Sequence, residues 1–318
     1  MWVFVKKSIS VLVCIAALTT SAQATIISTL DPTADPTGTA DALAAATLAP
    51  SSGITIVDGS QSYVGAPGQG GTFSGLSLSN STTTIELPND GVVLTSGDAN
   101  GILVDDNTDS SFDGFLGTPG NALLETLTTV STNDANVLSF DFTVDPGITS
   151  VSANFVFGSD EFPDQSITDI FGVFVDGVNF AEFSDGSVIN FEIGSISASF
   201  FNDNNVGSAD PFVTDMGSEF QYDGIVSVLT VTAILSATSL THNIVIAIAD
   251  TTDSLFDSGV FFGGLIAGTA TGGGITPGDS PVIPLPAGAW LMLSGLAGLY
   301  GSRRMSKTSN QVKQATLP

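Results

Sequence analysis

No lysine or arginine occurs between Lys7 and Arg303, although this long stretch contains all 32 aspartate and glutamate residues. Because lysine, arginine and glutamate favour helices, a chain that nearly lacks them in its main part is poorly suited to a helical fold. The 35 glycines and 21 phenylalanines favour short strands joined by tight turns instead. The sequence therefore predicts an all-β fold.

The charge of this stretch limits its partners. Residues 25–302 carry a net charge of −32, since they include every acidic residue and no lysine or arginine. Nucleic acid and anionic lipid surfaces would repel such a domain, and neither is expected as a partner. Divalent cations and basic partners remain open, and so does a role of the charge in solubility alone.

Short apolar segments define the predicted strands. Residues 137–144 alternate apolar and polar positions, and residues 151–157 repeat the pattern beyond an Asp-Pro-Gly turn, which predicts a hairpin. Other runs lack alternation, as strands covered on both faces do. The further predicted strands are residues 54–57, 82–87, 92–95, 170–175, 225–235, 244–249 and 260–266, and residues 41–48 and 121–127 look helical. Many short strands with turns between them predict an antiparallel β-sandwich of jelly-roll type over residues 25–267.

Residues 1–24 have the pattern of a secretory signal peptide. Two lysines precede an apolar run at residues 9–18, and the small residues Ala22 and Ala24 mark the cleavage site. The only cysteine, Cys14, lies in the apolar run, so the mature protein is expected to have no disulfide. The signal predicts export by the general secretory route.

The C-terminal residues predict a second addressing segment. A Gly/Thr/Pro-rich linker at residues 268–281 is followed by residues 282–304, which hold an uncharged stretch ending at an arginine pair. As a helix, the 17 residues 285–301 would span about 25 Å, a short but sufficient transmembrane length. The arginines and the tail at residues 305–318 would stay in the cytoplasm. An ordinary membrane anchor is the alternative interpretation, and a buried helix would not follow a glycine-rich linker.

This segment resembles the VPLPA type of PEP-CTERM sorting signal. The residues that carry the resemblance are Ile283, Pro284, Leu285, Pro286, Ala287, Arg303 and Arg304. The resemblance implies that an exosortase, a membrane transpeptidase, cuts the chain near the proline motif, so that the helix is only a transient inner-membrane anchor. It also implies a Gram-negative host that makes exopolysaccharide, with the protein at the cell surface or in the matrix.

The central region resembles a second family, the choice-of-anchor L domain. The matching segments are residues 91–99, 138–142, 155–162, 169–177, 222–224 and 246–250, together with Asp257 and Ser258. Members of this family are bacterial surface proteins that differ mainly in the C-terminal anchor that follows the domain. The resemblance implies a location more firmly than an activity.

Few kinds of catalytic site are compatible with this composition. His242 is the only histidine, and no nucleophile motif accompanies it, so we expect a structural role for it. Zinc sites need clustered histidine and cysteine, and phosphate-binding loops need lysine. A pair of carboxylates could still hydrolyse a glycoside, although 32 acids bring some pair to a workable distance by chance.

Calcium is the cofactor that the acidic residues favour, because it binds oxygen ligands. Three groups of candidate ligands follow from the sequence: Asp105, Asn107 and Asp109; Asp160, Glu161 and Asp164; and Asp250, Asp253 and Asp257. Each group could instead be a solvated turn, since aspartate and asparagine favour turns. The second and third groups belong to the segments that resemble the family and rank first.

The expected function is that of a non-enzymatic surface or matrix protein, structural or adhesive. A calcium-dependent carbohydrate-binding module is the alternative, and a polysaccharide hydrolase is the third interpretation. Four phenylalanines in or beside acidic loops could contact a sugar ring or cap the core. They are Phe112, Phe115, Phe162 and Phe256. The expected partners are an exosortase-type transpeptidase and exopolysaccharide or other surface glycans.

Overall fold

Twenty strands and one α-helix, α1 (Pro36–Ala46), make up the part of the chain that the computed structural model describes, residues 25–163, 169–190 and 194–278. The strands are β1 (Ile26–Thr29), β2 (Ile54–Ile56), β3 (Ser62–Val64), β4 (Gly70–Ser74), β5 (Ser77–Ser79), β6 (Thr84–Glu86), β7 (Gly91–Thr95), β8 (Leu103–Val104), β9 (Thr132–Val144), β10 (Ser150–Ser159), β11 (Ile170–Val175), β12 (Val178–Asn179), β13 (Phe201–Asp203), β14 (Val213–Thr214), β15 (Glu219–Phe220), β16 (Gly224–Val226), β17 (Leu229–Ile234), β18 (His242–Thr251), β19 (Ser258–Gly268) and β20 (Gly274–Pro277). Short 3-10 helices lie at Ala99–Gly101, Leu124–Thr126 and Ser197–Phe200.

The strands form three antiparallel sheets. The largest has nine strands, with the order β1-β4-β7-β19-β10-β16-β13, and β17 pairs with both β10 and β20. The second has six strands, in the order β12-β11-β18-β9-β2, with β3 also paired to β9. The third is a small sheet in the order β6-β5-β14-β15-β8. The predicted all-β, antiparallel class is confirmed.

The main hydrophobic core lies between the nine-stranded and six-stranded sheets. Phe171 of β11 contacts Phe155 and Phe157 of β10 across it, with ring centroids 5.2 and 6.4 Å apart. The other face of the nine-stranded sheet packs on the five-stranded sheet, burying residues such as Val156 and Phe261. Because both faces are covered, β7 and β19 are continuous apolar runs, which explains why the sequence pattern of these two strands lacked alternation.

The predicted hairpin between residues 137–144 and 151–157 is wrong. The first segment is part of β9 in the six-stranded sheet, and the second is part of β10 in the nine-stranded sheet. The turn at residues 145–147 thus carries the chain from one sheet to the other. The apolar faces of both strands are buried in the same core. The two strands therefore face each other across the core and are not hydrogen-bonded to each other.

The two segments with helical character have different outcomes. Residues 41–48 overlap α1, which begins earlier, at Pro36, where the side chain of Asp35 accepts a hydrogen bond of 2.9 Å from the Gly38 backbone N–H. Residues 121–127 form only the 3-10 turn Leu124–Thr126. The helix α1 is stabilised by its buried residue Leu43, which packs in the main core.

The C-terminal side of the domain extends past the predicted boundary at residue 267. Gly274–Pro277 forms β20 inside the predicted linker, pairing with β17, because Ile275 is buried against the main core. No helix among the described residues is long and apolar enough to cross a membrane. The predicted signal peptide and the sorting segment at residues 282–304 lie outside the described residues.

Candidate functional site

One end of the main core is polar instead of apolar. Along β18, the side chains of Ile246 and Ile248 face the core, and the next residue on that face is Asp250. In β19 the same alternation places Ser258 beside the apolar Val260, and β10 continues into Ser159 and Glu161. Because Ser159 pairs with Ser258 in register, these polar positions align at a single end of the sandwich.

Three acids lie at this polar end and are defined here as the inner acidic cluster: Glu161, Asp169 and Asp250. Their exposed fractions are 5%, 0% and 1%. Burial, reinforced by the neighbouring charge of Asp169, raises the pKa of Asp250 to about 10. Burial likewise raises the pKa of Glu161 to about 8 and lifts the pKa of Asp169 well above its usual range, with the charge of Glu161 adding to the second effect.

The hydrogen bonds of the inner acidic cluster are incomplete. Glu161 Oε2 accepts a bond of 2.7 Å from the Asp169 backbone N–H, and Asp169 Oδ1 accepts one of 3.1 Å from the Thr251 N–H. Asp169 Oδ2, both carboxylate oxygens of Asp250 and the hydroxyl of Ser258 are buried and have no hydrogen-bond partner within the part of the chain that the structure describes. Such groups are rare in folded proteins because each forfeits its hydration without replacement.

Two serines approach these carboxylates from the opposite sheet. The hydroxyl of Ser258 comes close enough to Asp169 to favour the charged form of that acid, and Ser96 has the same effect on Asp250. Neither contact reaches hydrogen-bond geometry. Among the described residues, the two sheets therefore meet at the inner acidic cluster with several oxygen atoms whose hydrogen bonds are not formed.

Asp160 and Asp257 lie on the other face of the nine-stranded sheet, and their oxygens are well satisfied. Asp160 Oδ2 accepts a bond of 2.6 Å from the Phe112 N–H, and Asp257 Oδ2 accepts one of 2.6 Å from the Gly114 N–H. Burial raises the pKa of Asp160 to about 8, with the charge of Asp223 adding to the rise. Burial raises the pKa of Asp257 to about 7.

These contacts belong to a regular arrangement along residues 112–118, which we call the strap. Beyond the bonds from Phe112 and Gly114, Asp134 accepts hydrogen bonds from the Leu116 N–H, at 3.4 Å, and from the Thr118 N–H. Every second backbone N–H of the strap therefore ends on an aspartate of the sandwich. The carboxylates hold this irregular segment across the end of the fold.

Replacing Asp134 with alanine should release the strap. The side chain of Asp134 is fully buried, and its backbone has a positive φ of 47°, which aspartate tolerates better than alanine. We expect the free energy of unfolding to fall by about 1–3 kcal/mol, because the Leu116 and Thr118 N–H groups lose their acceptor. Hydrogen exchange at these amides should become faster.

The control for this change is Asp109→Ala. The side chain of Asp109 is exposed, and the hydrogen bonds described for it come from the backbone N–H and hydroxyl of Ser111 in its own turn. This variant should leave strap exchange unchanged. If the strap amides of the Asp134→Ala protein exchanged as slowly as those of the wild type, Asp134 would not tether the strap.

The first sequence-predicted group of calcium ligands does not assemble. Asp105 is exposed, and Asp109 caps a turn. Asn107 is buried, but it is used structurally: its backbone N–H donates to Glu219 Oε2 at 2.7 Å, and its Oδ1 accepts from Gln221. The structure thus gives these residues separate local roles.

The other two groups are partly brought together. Glu161 and Asp250 share the inner acidic cluster, while Asp160 and Asp257 lie on the face of the nine-stranded sheet that points away from this cluster. Asp253 is exposed and accepts a bond from the Leu255 N–H. The remaining member of these groups, residue 164, lies outside the described residues.

The single histidine and the loop phenylalanines have mainly structural surroundings. His242 is buried, and its Nδ1 lies 2.7 Å from Asp176 Oδ2. Phe112 packs edge-on against Tyr222, and Phe162 stacks on a neighbouring phenylalanine ring, which supports core capping. Phe115 differs from them, with 68% of its surface exposed on the strap.

Sequence reasoning missed Asp169, Asp134 and Ser258 as members of this region. Asp169 directly precedes the apolar strand β11 and continues its core-facing alternation, a signal that the sequence did contain. Ser258 is the first residue of β19 and likewise continues the core-facing alternation of that strand. Single polar residues at strand ends are common in turns, so the pattern alone did not separate them from solvated positions.

Fold and site together define an all-β module in which a small group of acids is enclosed by its own strands and loops. Within the described residues, no three acidic, histidine or cysteine side chains stand in the arrangement of a metal centre. The carboxylates of the inner acidic cluster are closed to solvent, unlike those of an open catalytic cleft.

The chain belongs to the choice-of-anchor L domain family, whose model matches residues 33–265. Comparisons with the curated proteins and with the solved structures returned no match. The predicted resemblance to this family is confirmed, and the family indicates an exported, surface-anchored and non-catalytic protein. The resemblance of the tail to a PEP-CTERM signal stays a prediction.

Proposed function

We propose that this protein is a structural or adhesive component of the cell envelope or of an exopolysaccharide matrix. The observation that carries the proposal is family membership over residues 33–265, which indicates a surface-anchored module. An exported fold with no disulfide needs a large core, and three adjoining sheets provide one.

The proposed route to the surface uses both ends of the chain. Residues 1–24 direct secretion, and residues 282–304 hold the exported protein in the inner membrane until an exosortase-type transpeptidase cuts near the proline motif. This order of segments suits a family whose domain is followed by an anchor. The acidic domain is left outside the cell.

The proposed environment is a hydrated polysaccharide matrix. A domain with a net charge of −32 over residues 25–302 repels other copies of itself and resists aggregation. Neutral glycans remain accessible to it, whereas nucleic acids do not. The enclosed acids and the pairing of His242 with Asp176 support a non-enzymatic role.

The route can be tested in the host with substitutions in the proline motif. We expect Pro284→Ala combined with Pro286→Ala to leave the protein in the inner membrane, because the transpeptidase loses its recognition motif. Protease treatment of intact cells and membrane fractionation would show the difference from the wild type. Pro281→Ala, just outside the motif, is the matched control. Normal surface display of the double variant would contradict the proposed sorting.

A further inference from the structure

The inner acidic cluster lacks a compensating positive charge. Within residues 25–302 there is no lysine or arginine, and His242 is held by Asp176. Burying a carboxylate without a partner is costly, and paired burial usually involves a cation from the chain or a bound metal. Without such a cation these acids stay protonated and neutral, as their raised pKa values reflect, and only a cation from solution could hold them in the charged form.

The unsatisfied atoms at this end are all oxygens. Asp169 Oδ2, Asp250 Oδ1, Asp250 Oδ2 and Ser258 Oγ make up four of the eight buried side-chain polar atoms without a hydrogen-bond partner in the described residues. They come from both sheets, with Ser258 placed against Asp169. Carboxylate and hydroxyl oxygens that approach from two directions form the surroundings that a hard cation requires.

We propose that Asp169, Asp250 and Ser258 bind a calcium ion at the polar end of the core. The two carboxylates supply the charged ligands and the serine hydroxyl a neutral one, while Glu161 adds a third negative charge beside them. The remaining coordination positions are left to water. The inference stands on these buried oxygens and does not depend on the proposed surface function.

Calcium fits this site better than magnesium or zinc. Zinc favours histidine and cysteine ligands, and neither residue type is present in the cluster. Magnesium demands near-ideal octahedral geometry and gives up its water reluctantly, whereas two carboxylates and one hydroxyl are an irregular ligand set. Calcium accepts irregular sets of oxygen ligands and exchanges its water more readily. The bond from Thr251 to the other oxygen of Asp169 holds that carboxylate in place.

The position of the ion would join the two sheets. Asp250 belongs to β18 of the six-stranded sheet, Asp169 directly precedes β11 of the same sheet, and Ser258 belongs to β19 of the nine-stranded sheet. The pairing of β18 with β9 shifts register between Ile248 and Asp250, so the ladder is irregular beside the site. Calcium would thus close the end of the sandwich from which hydrophobic packing is missing.

The direct test measures metal content and thermal stability of the protein purified from its host. After removal of metal with a chelator and dialysis against about 1 mM calcium, we expect elemental analysis to find one calcium per chain. At a calcium concentration about 100-fold above Kd, the melting temperature should rise by about 5–10 °C relative to the chelated protein. Magnesium at the same concentration should give a much smaller rise.

Two isosteric variants locate the site. Asp250→Asn and Asp169→Asn should each abolish the calcium-dependent rise, while the chelated variants should melt at or above the temperature of the chelated wild type because a buried charge is gone. Asp253→Asn removes an exposed acid from the same loop and should retain the full calcium response.

Several outcomes would overturn the proposal. They are a wild-type protein that retains no calcium and melts at the same temperature with and without it, an equal response to magnesium, or an Asp253→Asn variant that loses the response as fully as Asp250→Asn. The wild-type measurements decide the matter even if a variant does not fold.

Discussion

Replacing Phe171 with alanine should lower the free energy of unfolding by about 3–5 kcal/mol. Phe171 is fully buried in β11, and its ring contacts Phe155 and Phe157 of the opposing sheet, so it joins the two main sheets. Truncation would remove this contact and leave a cavity between backbones that the hydrogen-bonded ladders hold apart. Urea unfolding followed by fluorescence or circular dichroism would measure the loss.

The control for Phe171→Ala is the same truncation at an exposed site. Phe115 has 68% of its surface accessible, and Phe115→Ala should change the free energy of unfolding by less than about 0.5 kcal/mol. Similar losses for the two variants would mean that the sheets are not held together by the core described here.

Replacing Gly91 with alanine should destabilise the protein by about 3 kcal/mol, the upper end of the usual cost of overpacking. A Cβ at Gly91 would lie 2.2 Å from the carbonyl oxygen of Phe262 and 2.9 Å from the Cα of Gly263. Both atoms belong to the backbone of β19, which pairs with β7 at this point, so relief of the clash would disrupt the ladder.

A glycine in open surroundings serves as the comparison. A Cβ at Gly272 would meet no atom within 4 Å, and its backbone φ lies outside the left-handed region. Gly272→Ala should therefore unfold like the wild type. A Gly91→Ala protein with wild-type stability would show that β7 does not lie against β19 in the register described.

The sequence predicted strands well where the pattern of apolar residues reflects their burial. The run at residues 170–175 coincides with β11, because unbroken apolar character identifies a strand covered on both faces. The run at residues 225–235 divides into β16 and β17, which pair with β10 at different positions. Pairing depends on contacts between distant segments, and the local pattern does not encode them.

The same limit explains the wrong hairpin between β9 and β10. An Asp-Pro-Gly turn between two alternating strands is compatible with pairing in one sheet and with a crossing between two sheets. Burial decides between these two arrangements, because β9 and β10 contribute side chains to the same core from opposite sheets. The jelly-roll assignment, which specifies strand order, stays a prediction for this reason.

The candidate site was predicted in part. Glu161 and Asp250 were selected because they belong to the segments that resemble the family, and the structure places them near each other. Asp169 was not selected, although it is the most buried acid of the inner acidic cluster. Its importance follows from the meeting of two sheets, and a single sequence gives little indication of where strand ends converge.

The role of the acidic residues differs across the domain. Asp160, Asp257 and Asp134 anchor the strap through its backbone N–H groups. Asp169 and Asp250 are left with unsatisfied oxygens in the core. From composition alone, solubility and ion binding were the two explanations for all the acidic residues together. The structure distinguishes the acids that anchor the strap from those of the proposed calcium site.

The central claim, that this is an exported and sorted surface protein, is tested most directly by mass spectrometry of the protein isolated from the envelope of its host. We expect a chain that begins at Thr25 and ends near the motif at residues 283–287, without Arg303 and Arg304. An envelope protein that retains residues 1–24 and the arginine pair would contradict both export by signal cleavage and exosortase sorting.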